Sequence, residues 1–340
     1  MRLPLWGGLI LGVLLGVVLQ RSSFCARAAL ADAFDGKDKS RLRAFVLAMA
    51  VTLLGTQLLT GTGMIDVSAV PYLRAGVPLI GLIVGGVLFG TGMMFAGGCP
   101  GRLVVRAAQG QGAALITWFV FVLAIMASVE GVLAPVREIL TGPTYSLPAP
   151  SLPSLFRGLP AWSITAVVLA VMSIFLLTSP KDSAWRDWRL PLGGALVGLL
   201  VAASWYMSVA GADEFETPAA SALTFIAPAQ DLLRYLTMER LGFALKFGSA
   251  SVLGVFIGAL GSALLARQFA WAVPTGPQML RNLGGGVLMA LGGILAMGCT
   301  VGQAMAGIAT LSIASLIAVM AMVLGSWIGH RVMARLTAAA

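Results

Sequence analysis

Long apolar stretches recur along the chain and are separated by short polar segments. The continuous apolar runs favour membrane-spanning helices over the alternating strands of a β-barrel. Because a spanning helix needs about 20 residues, the pattern predicts an all-α polytopic membrane protein with about nine transmembrane helices. The predicted spans are residues 4–20, 43–61, 77–97, 112–130, 161–178, 190–210, 241–264, 283–298 and 311–330.

Four shorter stretches between these spans are only partly polar and rich in small residues. They cover residues 24–34, 99–110, 219–236 and 299–309. None is long enough to cross a bilayer, and non-helical breaks at membrane depth are tolerated only inside protein or along a cavity. The pattern therefore predicts short re-entrant half-helices.

The composition excludes a soluble enzyme and a disordered chain. Hydrophobic residues make up 59% of the 340 residues and charged residues 10%, whereas soluble domains are about 25% charged. The first apolar run lacks a signal-peptide cleavage site and is interpreted as the first span. We expect the lipid bilayer to be a partner, and we expect no nucleic acid, because basic loops account for the net charge of +9.

The distribution of basic residues predicts the orientation. If the N-terminus lies outside, most of the 22 Lys and Arg residues fall in regions facing the cytoplasm. The acidic cluster Asp213, Glu214 and Glu216 then lies outside. The positive-inside rule therefore predicts a multi-pass protein of the bacterial inner membrane with a cytoplasmic C-terminus.

An internal repeat divides the chain. Residues 85–102 align without gaps with residues 285–302, and the matches include Gly85/Gly285, Gly92/Gly292 and Cys99/Cys299. We expect one transport domain made of repeat 1 (1–130), a linking segment with one extra span (131–189), repeat 2 (190–330) and a short tail (331–340). One linking span reverses the direction of repeat 2. The chain thus follows an inverted-repeat plan, which places the substrate site at the repeat interface.

The three cysteines are the main candidates for chemistry. Cys25, Cys99 and Cys299 each open one of the short stretches. They are too few for a disulfide framework, and with the lone His330 they form no convincing metal site. Pro100 suits the first turn of a helix, which predicts Cys99 as its N-cap.

Helix N-termini at these cysteines would attract an anion. Glycines at Gly98 and Gly298 allow close approach of backbone and substrate. A soft thiol suits a soft sulfur atom, so the pattern points to a sulfur-bearing oxyanion. The alternative is packing, because Cys and small residues often fill buried helix interfaces.

Three other polar residues have two interpretations each. Arg102 follows Cys99 on one helical face and either guides an anion or anchors a cytoplasmic loop. Gln109 and Gln303 either donate hydrogen bonds to an oxyanion or pack as buried polar groups. The residue types alone leave these alternatives open.

The repeated glycine–cysteine segments and the S-x-C-A-R-A context of Cys25 resemble the YeeE/YedE family of sulfur-compound transporters. The resemblance implies thiosulfate uptake by an hourglass-like helical fold without a cofactor, in which the three thiols contact the ion in turn. It also implies a TusA-like sulfurtransferase partner on the cytoplasmic side. The alternatives are transport of a selenium compound and a membrane-embedded sulfurtransferase that forms a cysteine persulfide.

Overall fold

The computed structural model describes residues 2–36, 38–74, 76–146, 149–156, 160–178, 188–210, 220–238, 245–273 and 276–338. Among the described residues of the first half, the regular elements are helices, a 3₁₀ turn at Pro71–Leu73 and the short strand described below. Its helices are α1 (Arg2–Ser22), α2 (Ala26–Phe34), α3 (Ser40–Gly61), α4 (Leu79–Ala96), α5 (Pro100–Ala108) and α6 (Gly112–Val129).

The second half repeats this order of long and short helices. It contains α10 (Arg189–Val209), α11 (Ala227–Met238), α12 (Phe247–Leu265), α13 (Gly276–Leu295), a π-helix (Thr300–Gly307) and α14 (Ile313–Ala338). The predicted short stretches thus correspond to α2, α5, α11 and the π-helix. Residues 211–219 and 239–244, which flank α11, lie outside the described residues.

The linking segment has more structure than the single predicted span. It carries α7 (Ala134–Thr141), α8 (Leu152–Leu155) and α9 (Ala161–Leu177). Two-residue strands also pair antiparallel, β1 (Gly76–Val77) with β2 (Tyr145–Ser146). This minimal pairing joins the segment before α4 to the linking segment and leaves the helical architecture unchanged.

The all-α membrane architecture predicted from the sequence is confirmed. Within the described residues, eight helical segments are long and apolar enough to cross a membrane. The remaining predicted span is α9, a shorter apolar helix of 17 residues. Its exposed side chains include Val167, Val171 and Ile174, which recur on one helical face and suit contact with lipid.

Helix packing follows the same scheme in both halves. Helix α1 packs on α12 as α10 packs on α3, and α4 packs on α14 as α13 packs on α6. Helices α4 and α13, which contain the repeated glycines, also pack directly on each other. The long helices of the two halves thus pack in the same pairwise scheme.

Glycines bring α4 and α13 into close contact. A methyl group built on Gly85 would lie 2.8 Å from the carbonyl oxygen of Gly292, and one on Gly285 would lie 2.8 Å from that of Gly92. The opposing contacts are slightly shorter: a methyl group on Gly92 would lie 2.7 Å from the Gly285 carbonyl oxygen, and one on Gly292 would lie 2.6 Å from that of Gly85. Small residues permit this approach in membrane helices, and the four aligned glycines therefore form one reciprocal interface.

Long-range hydrogen bonds define the two ends of the bundle. At the arginine end, which contains Arg21 and Arg106, the Gln20 side chain donates to the Gln268 side chain over 2.7 Å. At the tyrosine end, the Ser312 hydroxyl donates to the Tyr72 carbonyl over 2.5 Å.

Candidate functional site

The three cysteines occupy the same local position in three separate turns. Cys25 directly precedes α2, Cys99 precedes α5 and Cys299 precedes the π-helix. Each has the extended backbone expected of an N-cap residue. The N-cap position predicted for Cys99 is therefore observed at all three cysteines, and each sulfur lies at the N-terminus of a short helix.

A residue with left-handed backbone lies two positions before each cysteine. The φ angles are +53° at Ser23, +78° at Gly97 and +57° at Met297. A left-handed residue ends a helix, and it costs roughly 1–2 kcal/mol when a Cβ is present. Only Gly97 avoids this cost, so Ser23 and Met297 maintain strained turns at the candidate site, where such strain tends to concentrate.

Cys99 is the central thiol of the three. It is 7% exposed, and its thiol lies within electrostatic reach of both Cys25 and Cys299. The Thr300 hydroxyl lies beside the Cys99 thiol and makes no regular hydrogen bond within the described residues. The structure thus brings together three cysteines that are far apart in the sequence.

A small cavity adjoins Cys99. Its volume is about 20 Å³, and its lining includes Phe24, Cys99, Arg102, Phe225 and Thr300. A cavity of this size holds about one water molecule. The Cys99 thiol, a hydroxyl and aromatic rings therefore meet at a constriction that is closed to larger ions in this conformation.

Cys299 lies among backbone amides. It is fully buried, and the Gly302 amide donates to its sulfur over 3.4 Å. The amides of Val301 and Phe225 are also near this sulfur. Several N–H groups directed at one point favour negative charge there, so the Cys299 turn provides both a soft atom and a positive backbone potential.

Tyr72 extends this environment toward the tyrosine end. Its hydroxyl lies 3.2 Å from the position that a Cβ at Gly302 would occupy. Burial raises the pKa of Tyr72, and the nearby Cys299 adds to the increase. A phenol with a raised pKa stays protonated at neutral pH and remains a hydrogen-bond donor.

Cys25 lies next to a group of arginines. The guanidinium of Arg106 interacts electrostatically with Cys25, Arg27 and Arg102. Arg102 donates to the Leu19 carbonyl at the end of α1 over 3.0 Å, which supports the anchoring interpretation of this residue. The same bond fixes a positive charge beside the Cys99 cavity, so the guiding interpretation remains a prediction.

Gln303 and Arg106 stabilise the helix breaks before the cysteines. The Gln303 amide donates to the Ala296 carbonyl over 2.6 Å, and Arg106 donates to the Gly97 carbonyl over 2.8 Å. A helix end leaves such carbonyls without intrahelical partners. One amide hydrogen of Gln303 thus has a structural partner, as expected if Gln303 packs as a buried polar group. A hydrogen bond from Gln303 to a substrate stays a prediction.

The glycines that precede two of the cysteines lie against the following helix. A methyl group on Gly98 would lie 3.3 Å from the Arg102 Cβ, and one on Gly298 would lie 3.0 Å from the Gln303 Cγ. Both positions therefore favour a small residue for close packing of the turn. Any direct contact of Gly98 or Gly298 with a substrate stays a prediction.

Gln109 is the one candidate that lies apart from the thiols. It is the C-cap of α5, whereas Cys99 is the N-cap of the same helix. Gln109 lines a separate polar cavity of about 320 Å³ at the arginine end. Among the described residues, no group of three His, Cys, Asp or Glu side chains could hold a metal ion.

Sequence reasoning missed Thr300, Phe225 and Tyr72 at this site. Thr300 directly follows Cys299, so its adjacency was a usable signal. Phe225 lies in the connection before α11 and Tyr72 in the turn before α4. Neither shares a motif with a cysteine, and only the packing of the two halves brings them to the thiols.

The chain is similar to known membrane transport proteins. It is 27% identical to the thiosulfate transporter TsuA of Escherichia coli (strain K12) over 94% of this chain and 92% of the relative. It is 24% identical to the TsuA of Spirochaeta thermophila over 95% of this chain and 97% of the relative. The probable transporter YedE of Salmonella typhimurium is 27% identical over 30% of this chain and 24% of the relative.

The Sulphur transport family profile matches residues 21–328. This range includes all three cysteine turns and both halves of the helix bundle. The match covers most of the chain, and it agrees with the resemblance carried by the glycine–cysteine segments. The chain therefore belongs to the Sulphur transport family.

Proposed function

We propose that this protein takes up thiosulfate across the bacterial inner membrane and passes the ion along three thiols by weak, non-covalent contacts. The observation that carries the proposal is the cavity at Cys99, whose lining also includes Phe24 and Ala26, which flank Cys25, and Thr300, which follows Cys299. Family membership and the names of two relatives that align over almost the whole chain support thiosulfate as the substrate.

The order of contacts is Cys299, then Cys99, then Cys25. Cys299 lies on the side of Tyr72, and Cys25 lies on the side of Arg106. An ion that enters at the tyrosine end meets these thiols in that order. Positive charge from Arg102 and Arg106 then draws the ion toward the arginine end.

The two ends of thiosulfate suit different groups at each turn. Its terminal sulfur is soft and accepts a weak hydrogen bond from a thiol. Its oxygens suit the backbone amides, such as those near Cys299. Each contact must be weak enough to release the ion to the next site.

Transport requires the constriction at Cys99 to widen. The cavity there holds about one water molecule, and thiosulfate is larger than water. Phe24 and Phe225 line this cavity from separate segments, so a small change in their packing would open the path. The proposed cycle thus alternates between this closed state and a wider one.

The two halves are inverted repeats in this proposal. The equivalent packing of α1 on α12 and α10 on α3, and the reciprocal glycine contacts of α4 and α13, support a pseudo-two-fold relation. The basic residues then put the arginine end and the C-terminus in the cytoplasm and the N-terminus outside. A TusA-like sulfurtransferase is the proposed cytoplasmic acceptor, and co-purification with the intact transporter tests this assignment.

Thiol variants test the proposed mechanism. Cys25, Cys99 and Cys299 are replaced singly by Ser, which keeps the size but removes the soft sulfur. Each variant should lose thiosulfate-dependent growth of an uptake-deficient host and labelled thiosulfate uptake in liposomes. Gly284→Ala, whose added methyl group meets nothing within 4 Å, is the matched control and should support full uptake.

Three outcomes would contradict parts of the proposal. Full uptake by all three Ser variants would refute the thiol relay. Inhibition of labelled thiosulfate uptake by selenite at much lower concentrations than by unlabelled thiosulfate would point to a selenium substrate. A stable sulfur adduct in the intact mass after incubation with thiosulfate would favour persulfide chemistry, which the non-covalent relay does not produce.

A further inference from the structure

A second polar site lies at the arginine end, away from the Cys99 constriction. Its cavity has a volume of about 320 Å³. The polar side chains that line it are Arg106, Gln109, Gln111, Gln268 and Gln278. None of the described residues that line it is acidic. What such a pocket binds depends on which ends of the amide groups face it.

Arg106 fixes the orientation of Gln111. The Arg106 Nε donates to the Gln111 Oε1 over 2.6 Å, and Nη1 donates to the Gly97 carbonyl over 2.8 Å. A guanidinium can only donate, so its partner on Gln111 must be the amide oxygen. The NH₂ group of Gln111 is then left as a donor, and Arg106 keeps further N–H groups beyond these two bonds.

A chain of hydrogen bonds fixes the orientation of Gln268 by the same logic. Arg21 Nε donates to the Ser262 hydroxyl over 3.0 Å, and that hydroxyl donates to the Gln20 Oε1 over 2.8 Å. The Gln20 NH₂ group then donates to the Gln268 Oε1 over 2.7 Å. Because Arg21 can only donate, each step has one direction, and Gln268 presents its NH₂ group as the remaining donor.

Hydrogen bonds from Arg106 and Arg21 therefore orient the Gln111 and Gln268 side chains so that their NH₂ groups remain as donors. Amide NH₂ groups and a guanidinium without a facing carboxylate form a site that favours an anion. Arg106 links this site to the thiols, since it also interacts with Cys25. The site thus shares Arg106 with the surroundings of Cys25, the last thiol of the proposed path.

We propose that this cavity, the arginine–glutamine pocket, is an oxyanion-binding site that receives the ion after Cys25. The proposal deepens the proposed thiosulfate uptake and rests on it for the direction of transfer. Cysteine thiols do not line the pocket, so it recognises the oxygen atoms of the ion rather than the terminal sulfur. It therefore binds sulfate as well as thiosulfate, and it does not supply the selectivity of the path.

Paired substitutions at one position test the pocket. Gln268→Glu keeps the shape and the acceptor for Gln20 but places a negative charge where the NH₂ donor was. Gln268→Ala removes the donor without adding charge. Binding is measured on the purified full chain from the melting temperature across sodium thiosulfate and sodium sulfate titrations, with sodium chloride at matched ionic strength.

The order of the variants distinguishes an anion site from a structural role. An anion site predicts that Gln268→Glu weakens sulfate binding by at least about tenfold, roughly 1.4 kcal/mol, and that Gln268→Ala weakens it less. A purely structural role predicts a greater loss of binding in Gln268→Ala than in Gln268→Glu, because Glu preserves the shape of the side chain. Wild-type affinity in Gln268→Glu, or greater loss in Gln268→Ala, would overturn the proposal.

Two further measurements separate this proposal from the proposed function. Gln111→Glu, which still accepts the bond from Arg106, should reproduce the loss if Gln268→Glu does not fold, and normal sulfate binding by it would overturn the pocket. Wild-type protein that binds both ions but does not move labelled thiosulfate into liposomes would refute the uptake and leave the pocket intact. Active wild-type uptake with unaltered binding in the Glu variants would refute the pocket alone.

Discussion

Two adjacent glycines in α13 should respond in opposite ways to the same added methyl group. Gly285 faces α4, where an alanine Cβ would lie 2.8 Å from the Gly92 carbonyl oxygen and still closer to the Ala96 amide nitrogen. Gly284 has nothing within 4 Å of the same atom. Gly285→Ala is therefore the perturbation, and Gly284→Ala in the same helix is its control.

The magnitude follows from these distances. Ordinary van der Waals contact begins near 3.4 Å, so the backbones of α4 and α13 must separate by roughly 0.6 Å or more. Overpacking of this kind costs about 1–3 kcal/mol. At Gly284 the methyl group meets no obstacle, and replacing a helical glycine gains about 0.5–1 kcal/mol.

The assay is thermal unfolding of both variants in detergent, followed by liposome uptake. Gly285→Ala should melt several degrees below wild type, and Gly284→Ala at or above it. Uptake by Gly285→Ala should also fall, because α13 leads directly into the Cys299 turn. Equal melting temperatures for the two variants would refute the argument that backbone contact across this interface stabilises the fold.

The other predictions concern the turns before the cysteines. Ser23→Gly should raise the melting temperature by the equivalent of about 1 kcal/mol, because glycine adopts the left-handed backbone at +53° without a Cβ clash; Ser22→Gly, inside α1, is the control and should lower it. Gln303→Met keeps the volume but leaves the Ala296 carbonyl without its side-chain donor, which should cost about 1–3 kcal/mol in thermal unfolding. No loss of stability in this variant would show that the Gln303 bond does not hold the helix break.

Much of the architecture is encoded locally. Apolar run length predicts the spans, because each helix must cover the same hydrocarbon thickness. Gly97 and Pro100 favour the break around Cys99, because glycine permits left-handed backbone and the proline ring fixes φ at the start of the next helix. By contrast, the left-handed residues Ser23 and Met297 are not glycines, and local propensity does not predict their conformation.

The aligned glycines of the internal repeat also mark where two helices pack. Gly85, Gly92, Gly285 and Gly292 were matched by sequence, and the structure places them against one another across α4 and α13. Equivalent residues meet because the same helix face is used in both halves. The aligned positions alone did not fix this contact, since an equivalent pair could also face lipid.

By itself, the sequence determined an all-helical membrane protein, its short broken helices and the three cysteines that begin them, since these depend on hydropathy and local backbone preference. Only the tertiary structure decided that Cys99 lies between the other two thiols, that Gln109 lies in a different cavity, and that Arg106 and Arg21 orient amides on other segments. These relations join residues that are as far apart as Arg21 and Ser262. They depend on which helices pack together, and spacing along the chain carries no direct signal of that choice.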